Sequence, residues 1–293
     1  MAGLALLGCG AGGLRDWRAV QAKSDSLLSE GIFRLLLAPA ASPASVREAW
    51  PGNYLISRDS NPLYIGEASS LAARIKVQFD EKRSTFYKNY LKINLECGVE
   101  ITEFQLRIVE TRIGRKEIED FGIVNLGTSL NRFQLGKRQP AAMAAGCANW
   151  DALQDRAAEL IPAGADLCLE QSFQPWRSGR TDATAGIYLI KDPDGQIIYV
   201  GESSDIFVRY QTHSGTTYFL AVRRNLGCDI LGYTLQARNG KKRYFDDHED
   251  QAVSDYLGGC SIAFCPVTLG RYEVEEFLIR KLRPVLNRRS KES

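Results

Sequence analysis

The sequence repeats itself, and a chain that carries one pattern twice folds most simply as two copies of one unit. The segment GNYLISRDSNPLYIGEASSLAARIKVQ, residues 52–78, is matched by GIYLIKDPDGQIIYVGESSDIFVRYQTH, residues 186–213. In each copy ten residues lead from the second tyrosine to the arginine, Tyr64 to Arg74 and Tyr199 to Arg209. DWRAVQ from Asp16 parallels NWDALQ from Asn149, and NLEC ending at Cys97 parallels NLGC ending at Cys228. EDFGIVNLGTSLN, Glu119 to Asn131, parallels EEFLIRKLRPVLN, Glu275 to Asn287, with twelve residues from Glu to Asn in both. The offset is near 135 up to Arg209 and 156 at Glu275, so the second copy carries an insertion of about twenty residues, placed at about 240–270. QPAAMAAG, residues 139–146, reads as a linker. Two domains are therefore expected, 1–142 with its core at 52–131 and 143–293 with its core at 186–287.

Composition restricts the class. At 44% hydrophobic and 25% charged, the chain has ample material for a core. The net charge of +2 excludes a uniformly basic protein but not a local basic face. Seven cysteines, with no C-x-x-C pair, favour reduced thiols and a cytoplasmic protein over a disulfide scaffold. No apolar run approaches a membrane span, so no membrane partner is expected. GCGAGG, residues 8–13, formally fits G-x-G-x-x-G. No acidic residue ends the next strand-like run, and too little chain precedes the repeat for a dinucleotide fold.

Within each copy the elements are legible. GIYLI and QIIYV are rich in β-branched and aromatic residues, and KDPDG between them is a turn, so a hairpin is expected. The first copy has SRDSNP at the turn. Ser204 and Ser69 suit the N-cap of a following helix. On that helix Arg209 and His213 are four residues apart and share a face. A second helix is expected around TFYKNYLKIN and TYFLAVRRN, then a third strand at ITEFQLRIVE and DILGYTLQA, then a last helix carrying Glu119 or Glu275. A helix from Trp17 or Trp150 precedes each copy. The expected class is α+β, with a small three-stranded mixed sheet flanked by helices in each copy.

The paired strand ends GIY and YVG, with GNY and YIG in the first copy, resemble the GIY-YIG nucleases. The resemblance covers Gly52 to Asn131 and Gly186 to Asn287, with tyrosines, arginine, glutamate and asparagine in order in both. It implies a metal-dependent endonuclease with tandem sites. Candidate residues are Tyr188, Tyr199, Arg209, His213, Glu275 and Asn287 in the second copy, and Tyr54, Tyr64, Arg74, Glu119 and Asn131 in the first. The chemistry is consistent with this. An arginine fork can hold a phosphate oxygen, and a lone carboxylate with waters suits Mg²⁺ or Mn²⁺, here at Glu275 and Glu119. Such an ion stabilises the leaving oxygen. In the family one tyrosine acts as general base or orients the water; which of the pair does so here stays open. His213 can accept or relay the proton. Asn287 reads as structural or phosphate-positioning. Gln78 stands at the histidine position of the first copy, and Asn53 at that of Ile187, which makes the first site the weaker.

Double-stranded DNA is the expected partner, bound by a monomer with two sites or a weak oligomer. Residues 280–293 carry six basic side chains against Glu292, a net +5, and such clusters suit phosphate contacts. GKKRY, VRRN and EKRSTFYKNYLK add more. Two alternatives remain: one live site in the second copy with the first as a DNA clamp, and a non-catalytic nucleic-acid-binding protein. His248, Cys260 and Cys265 are a conceivable zinc set, although their spacing matches no common module.

Overall fold

The computed structural model describes residues 14–80, 82–84, 86, 90, 103–131, 141–213, 215, 220–238 and 242–288. The chain divides into two compact units, the first ending at Leu160 and the second beginning at Ile161. Both are α+β.

In the first unit, helices α1 (Trp17–Ala22) and α2 (Ser24–Leu37) precede the sheet. Asp16 caps α1 by accepting from the amide of Ala19 at 2.9 Å. Strands β1 (Gly52–Arg58) and β2 (Asn61–Ala68) form the expected hairpin. Its two-residue turn places Asp59 and Ser60 at φ +50° and +65°, the twist that matches paired strands. Helix α3 (Leu71–Gln78), strand β3 (Gln105–Glu110) and helix α4 (Arg115–Leu126) follow. The sheet order is β2-β1-β3, and both pairings are antiparallel. Helix α5 (Ala148–Asp155) closes the unit. Glu30 on α2 binds its start, accepting from the amides of Asn149 at 2.8 Å and Trp150 at 3.0 Å. A carboxylate at a helix N-terminus meets unpaired amides and the positive end of the dipole. This contact keeps α5 in the first unit, so the division falls after Leu160 and not at 142/143.

Helix α6 (Ala157–Leu169) leads into the second unit, which contains β4 (Gln174–Pro175), β5 (Gly186–Lys191), β6 (Ile197–Ser203) and α7 (Ile206–His213). Next come α8 (Ala221–Asn225), a π-turn at Leu226–Ile230, and a small hairpin of β7 (Gln236–Arg238) and β8 (Lys242–Tyr244). Helix α9 (Asp247–Gly259), strand β9 (Ser261–Pro266) and helix α10 (Arg271–Leu282) complete it. The main sheet is β4-β9-β5-β6, again antiparallel throughout.

Three sequence expectations differ from the structure. The sheet of the second unit has four strands and not three, because β4 pairs with β9. The sheets are antiparallel and not mixed, because each central strand pairs antiparallel with both neighbours. The third strand of the second unit is β9, not DILGYTLQA, which runs from the end of the π-turn to the start of the small hairpin. Gly52 pairs with Glu110 and Gly186 with Pro266. The inserted residues thus lie before the third strand, and α9 falls among them. The second helix expected around TFYKNYLKIN and the segment GCGAGG lie largely or wholly outside the described residues. No helix among the described residues is long and apolar enough to cross a membrane.

The two hairpins share one irregularity. The register slips between Ile56 and Ser57 in β1 and between Ile190 and Lys191 in β5. Each bulge leaves an extra residue on the partner strand, Leu63 or Ile198. Its carbonyl accepts from the amide of Leu130 or Leu286, at 2.9 Å in each copy. A bulge sharpens local twist and re-aims the strand end, and the tyrosines of interest lie beside this one.

Candidate active site

Tyr188 on β5 and Tyr199 on β6 sit on one face of the sheet, with ring centroids 5.9 Å apart. Gly201 lies opposite Tyr188 in the register. A β-carbon at Gly201 would stand 2.4 Å from the Tyr188 hydroxyl, so the missing side chain is the space the phenol occupies. Gly66 gives Tyr54 the same space in the first unit. His213 ends α7, and its Nε2 is 2.9 Å from the Tyr188 hydroxyl. Tyr188 and His213 are buried, while Tyr199 is half-buried and Arg209 exposed.

Burial sets the protonation states. It lowers the His213 pKa to about 3, helped by the positive charges of Arg209 and Arg223, so the imidazole is neutral near pH 7. Burial pushes the Tyr188 phenol well above its ordinary value. Tyr199 is also raised, first by burial and then by the Glu275 carboxylate. A hydrogen bond from Tyr188 and the charge of Arg209 oppose that rise. The direction of the hydrogen bond between His213 Nε2 and the Tyr188 hydroxyl follows the imidazole tautomer. His213 Nδ1 has no hydrogen-bond partner among the described residues.

The first unit gives the same arrangement independently. Gln78 Nε2 donates to the Tyr54 hydroxyl at 2.6 Å, and Ser84 Oγ donates to Gln78 Oε1 at 3.2 Å. Tyr54 and Tyr64 are raised chiefly by burial, and the charge of Arg74 lowers both. Glu119 raises Tyr64 as Glu275 raises Tyr199. Glutamine and histidine thus do one job, hydrogen-bonding the hydroxyl of the buried phenol. Two features make the first site more closed: Glu119 is buried, and Phe86 packs edge-on against Tyr64 at 5.6 Å.

Glu275 projects from α10, and its Oε1 accepts from the amide of Glu202 at 3.1 Å. Its half-buried carboxylate offers hard oxygen donors, which fits Mg²⁺ or Mn²⁺. Among the described residues no three His, Cys, Asp or Glu gather as a metal cluster, and His248, Cys260 and Cys265 therefore form no zinc module there. Cys265 lies against Cys168.

Asn131 and Asn287 do not face the tyrosines. Asn131 accepts from the amide of Ile65 at 3.0 Å and donates to its carbonyl at 2.8 Å. Asn287 does the same to Val200, at 2.8 Å and 2.7 Å. β2 and β6 are edge strands, and the amide replaces an absent neighbour strand. Of the two readings of Asn287, the structural one fits this geometry.

Two arginine–glutamate pairs, one in each unit, were not expected from the sequence. Arg271 Nε donates to Glu202 at 2.9 Å with its guanidinium buried, and Arg115 lies 3.9 Å from Glu67. These pairs explain the glutamates after YVG and YIG, and they fix the first turn of the helix that carries Glu275 or Glu119. The signal was present as GRKEIEDF from Gly114 and GRYEVEEF from Gly270. Asn53, in place of Ile187, donates to the carbonyl of Arg115 at 2.9 Å and is a helix anchor.

The basic C-terminal segment is less free than its composition implies. Lys281 is paired with Asp166 at 2.9 Å, and Arg288 grips Asp229 with two nitrogens at 3.1 and 2.9 Å. Arg289 and Lys291 lie outside the described residues.

Comparison with protein families, curated proteins and solved structures finds no match to this chain.

Proposed function

We propose that the chain is a metal-dependent endonuclease of the GIY-YIG kind, cutting phosphodiester bonds in DNA at the second unit. The observation that carries this reading is the convergence of Tyr188, Tyr199, Arg209, His213 and Glu275. A buried, hydrogen-bonded phenol stands beside a half-buried one, next to a carboxylate and an exposed guanidinium.

Tyr199, after losing its own proton to solvent, is the phenolate that takes the proton of the attacking water. It is the more accessible of the two, and Tyr188 donates to it, which favours its anion. Tyr188 is held by His213 and serves to orient Tyr199. His213 does not become an imidazolium, because burial and two arginines oppose the charge. Arg209, exposed on α7, grips a phosphate oxygen as charge builds there. Glu275 would hold Mg²⁺, which supplies a Lewis acid for the leaving oxygen and positive charge beside Tyr199. In the first unit, the glutamine and the closed aromatic packing favour a clamp that binds DNA without cutting.

Supercoiled plasmid incubated with and without Mg²⁺ tests the proposal. Wild-type protein is expected to nick it only with the metal, and Arg209→Ala to slow nicking about a hundredfold or more, the range for losing one transition-state donor. Equal rates for the two proteins would refute the assignment.

A further inference from the structure

The features that distinguish the second unit from the first include His213 in place of Gln78 and the inserted helix α9. One buried cation joins them. Arg223 on α8 is 1% exposed. Its Nη1 donates to the carbonyl of His213 at 3.5 Å. Its Nη2 donates to the carbonyl of Asp250 at 3.1 Å, to Asp250 Oδ1 at 3.2 Å and to Ser254 Oγ at 2.8 Å. Asp250 and Ser254 are one turn apart, so a single face of α9 receives the guanidinium.

His213 is the last residue of α7, and its carbonyl has no acceptor role within the helix. A cation at a helix C-terminus satisfies that carbonyl and matches the dipole. A guanidinium this deeply buried needs a carboxylate, which Asp250 supplies. In the first unit Ser84, only six residues past Gln78, holds the amide. The charged and titratable groups around the imidazole are Tyr188 on β5, Tyr199 on β6, Arg209 on α7 and Arg223 on α8.

We propose that α9 is a positioning element of the second site: Asp250 and Ser254 hold Arg223, Arg223 holds the end of α7, and the imidazole stays in line with the Tyr188 hydroxyl. This rests on the nuclease reading for its consequence, though not for its geometry.

Asp250→Asn tests it, with Asp247→Asn as control. Both remove one negative charge from the first turn of α9, and Asp247 is exposed. For Asp250→Asn, kcat for plasmid nicking is expected to fall about tenfold, with KM unchanged. The control keeps the wild-type rate. Ser254→Ala, which removes one hydrogen bond and no charge, gives a smaller loss in the same direction. The chain has only two histidines, His213 and His248, so the His213 imidazole signals are readily resolved by NMR. They move in Asp250→Asn and stay in place in the control. Identical imidazole spectra and rates for the two variants overturn the proposal. Should the wild type not cut DNA, the nuclease reading falls, and the imidazole spectrum still decides whether α9 holds the ring.

Discussion

At the scale of single residues, the pair His213 and Gln78 is the most informative contrast in the molecule. Both hydrogen-bond a buried phenol, but only the imidazole can titrate. The folded protein refuses a proton at His213 until about pH 3, whereas an unfolded chain accepts one near 6.5. The unfolded state therefore binds more protons between these values. Stability from this residue is complete above about 6.5 and is lost as pH falls toward 3, by up to about 1.4 kcal/mol per pH unit. His213→Gln removes this dependence and keeps the hydrogen bond, as Gln78 does. Urea unfolding at pH 7.5 and pH 5 is expected to show the wild type losing about 2 kcal/mol more than the variant. Equal losses would mean that the ring is solvated.

At the scale of elements, the edge strands are completed by side chains. Asn131 pairs with both backbone groups of Ile65 as a strand would. Asn131→Ala leaves a buried amide and carbonyl without partners and is expected to destabilise the first unit by about 2–4 kcal/mol. Asn131→Asp recovers little, because it sets a carboxylate oxygen against a carbonyl. Hydrogen exchange at the Ile65 amide should accelerate in both variants, and unchanged protection would count against the role. Helices α4 and α10 are anchored similarly, by the buried Arg115 and Arg271 reaching to the glutamate at the end of the hairpin. The same strand end thus positions a tyrosine and, through its glutamate, the helix bearing the second carboxylate.

At the scale of the whole molecule, two units carry similar sites that are unequally open. Glu275→Ala is expected to abolish both nicked and linear plasmid products. If the first unit clamps DNA as proposed, Glu119→Ala is expected to leave the nicking rate within about twofold and to weaken DNA binding. Accumulation of nicked circles by Glu119→Ala, with linear product lost, would instead mean that each unit cuts one strand. Ion pairs at Lys281 and Arg288 reduce the charge available to phosphates, so the salt dependence of binding is expected to be shallower than six basic residues would give.

The duplication, the hairpins, the tyrosine–arginine–glutamate order and the α+β class were legible in the sequence, because each rests on local spacing or on one segment compared with its copy. The third strand of the second unit was not. LGYTLQA and SIAFCP are both short apolar runs, and only pairing with β5 distinguishes them. The role of the asparagines was equally hidden, because an amide that completes a sheet edge and one that faces a ligand have the same sequence signature. The sequence by itself determined which chemical groups this protein carries and in what order. Tertiary structure alone decided which phenol is buried, which carboxylate is oriented and which cation fixes the imidazole. Burial and long-range hydrogen bonds depend on distances between segments far apart in the chain, and no local pattern encodes them.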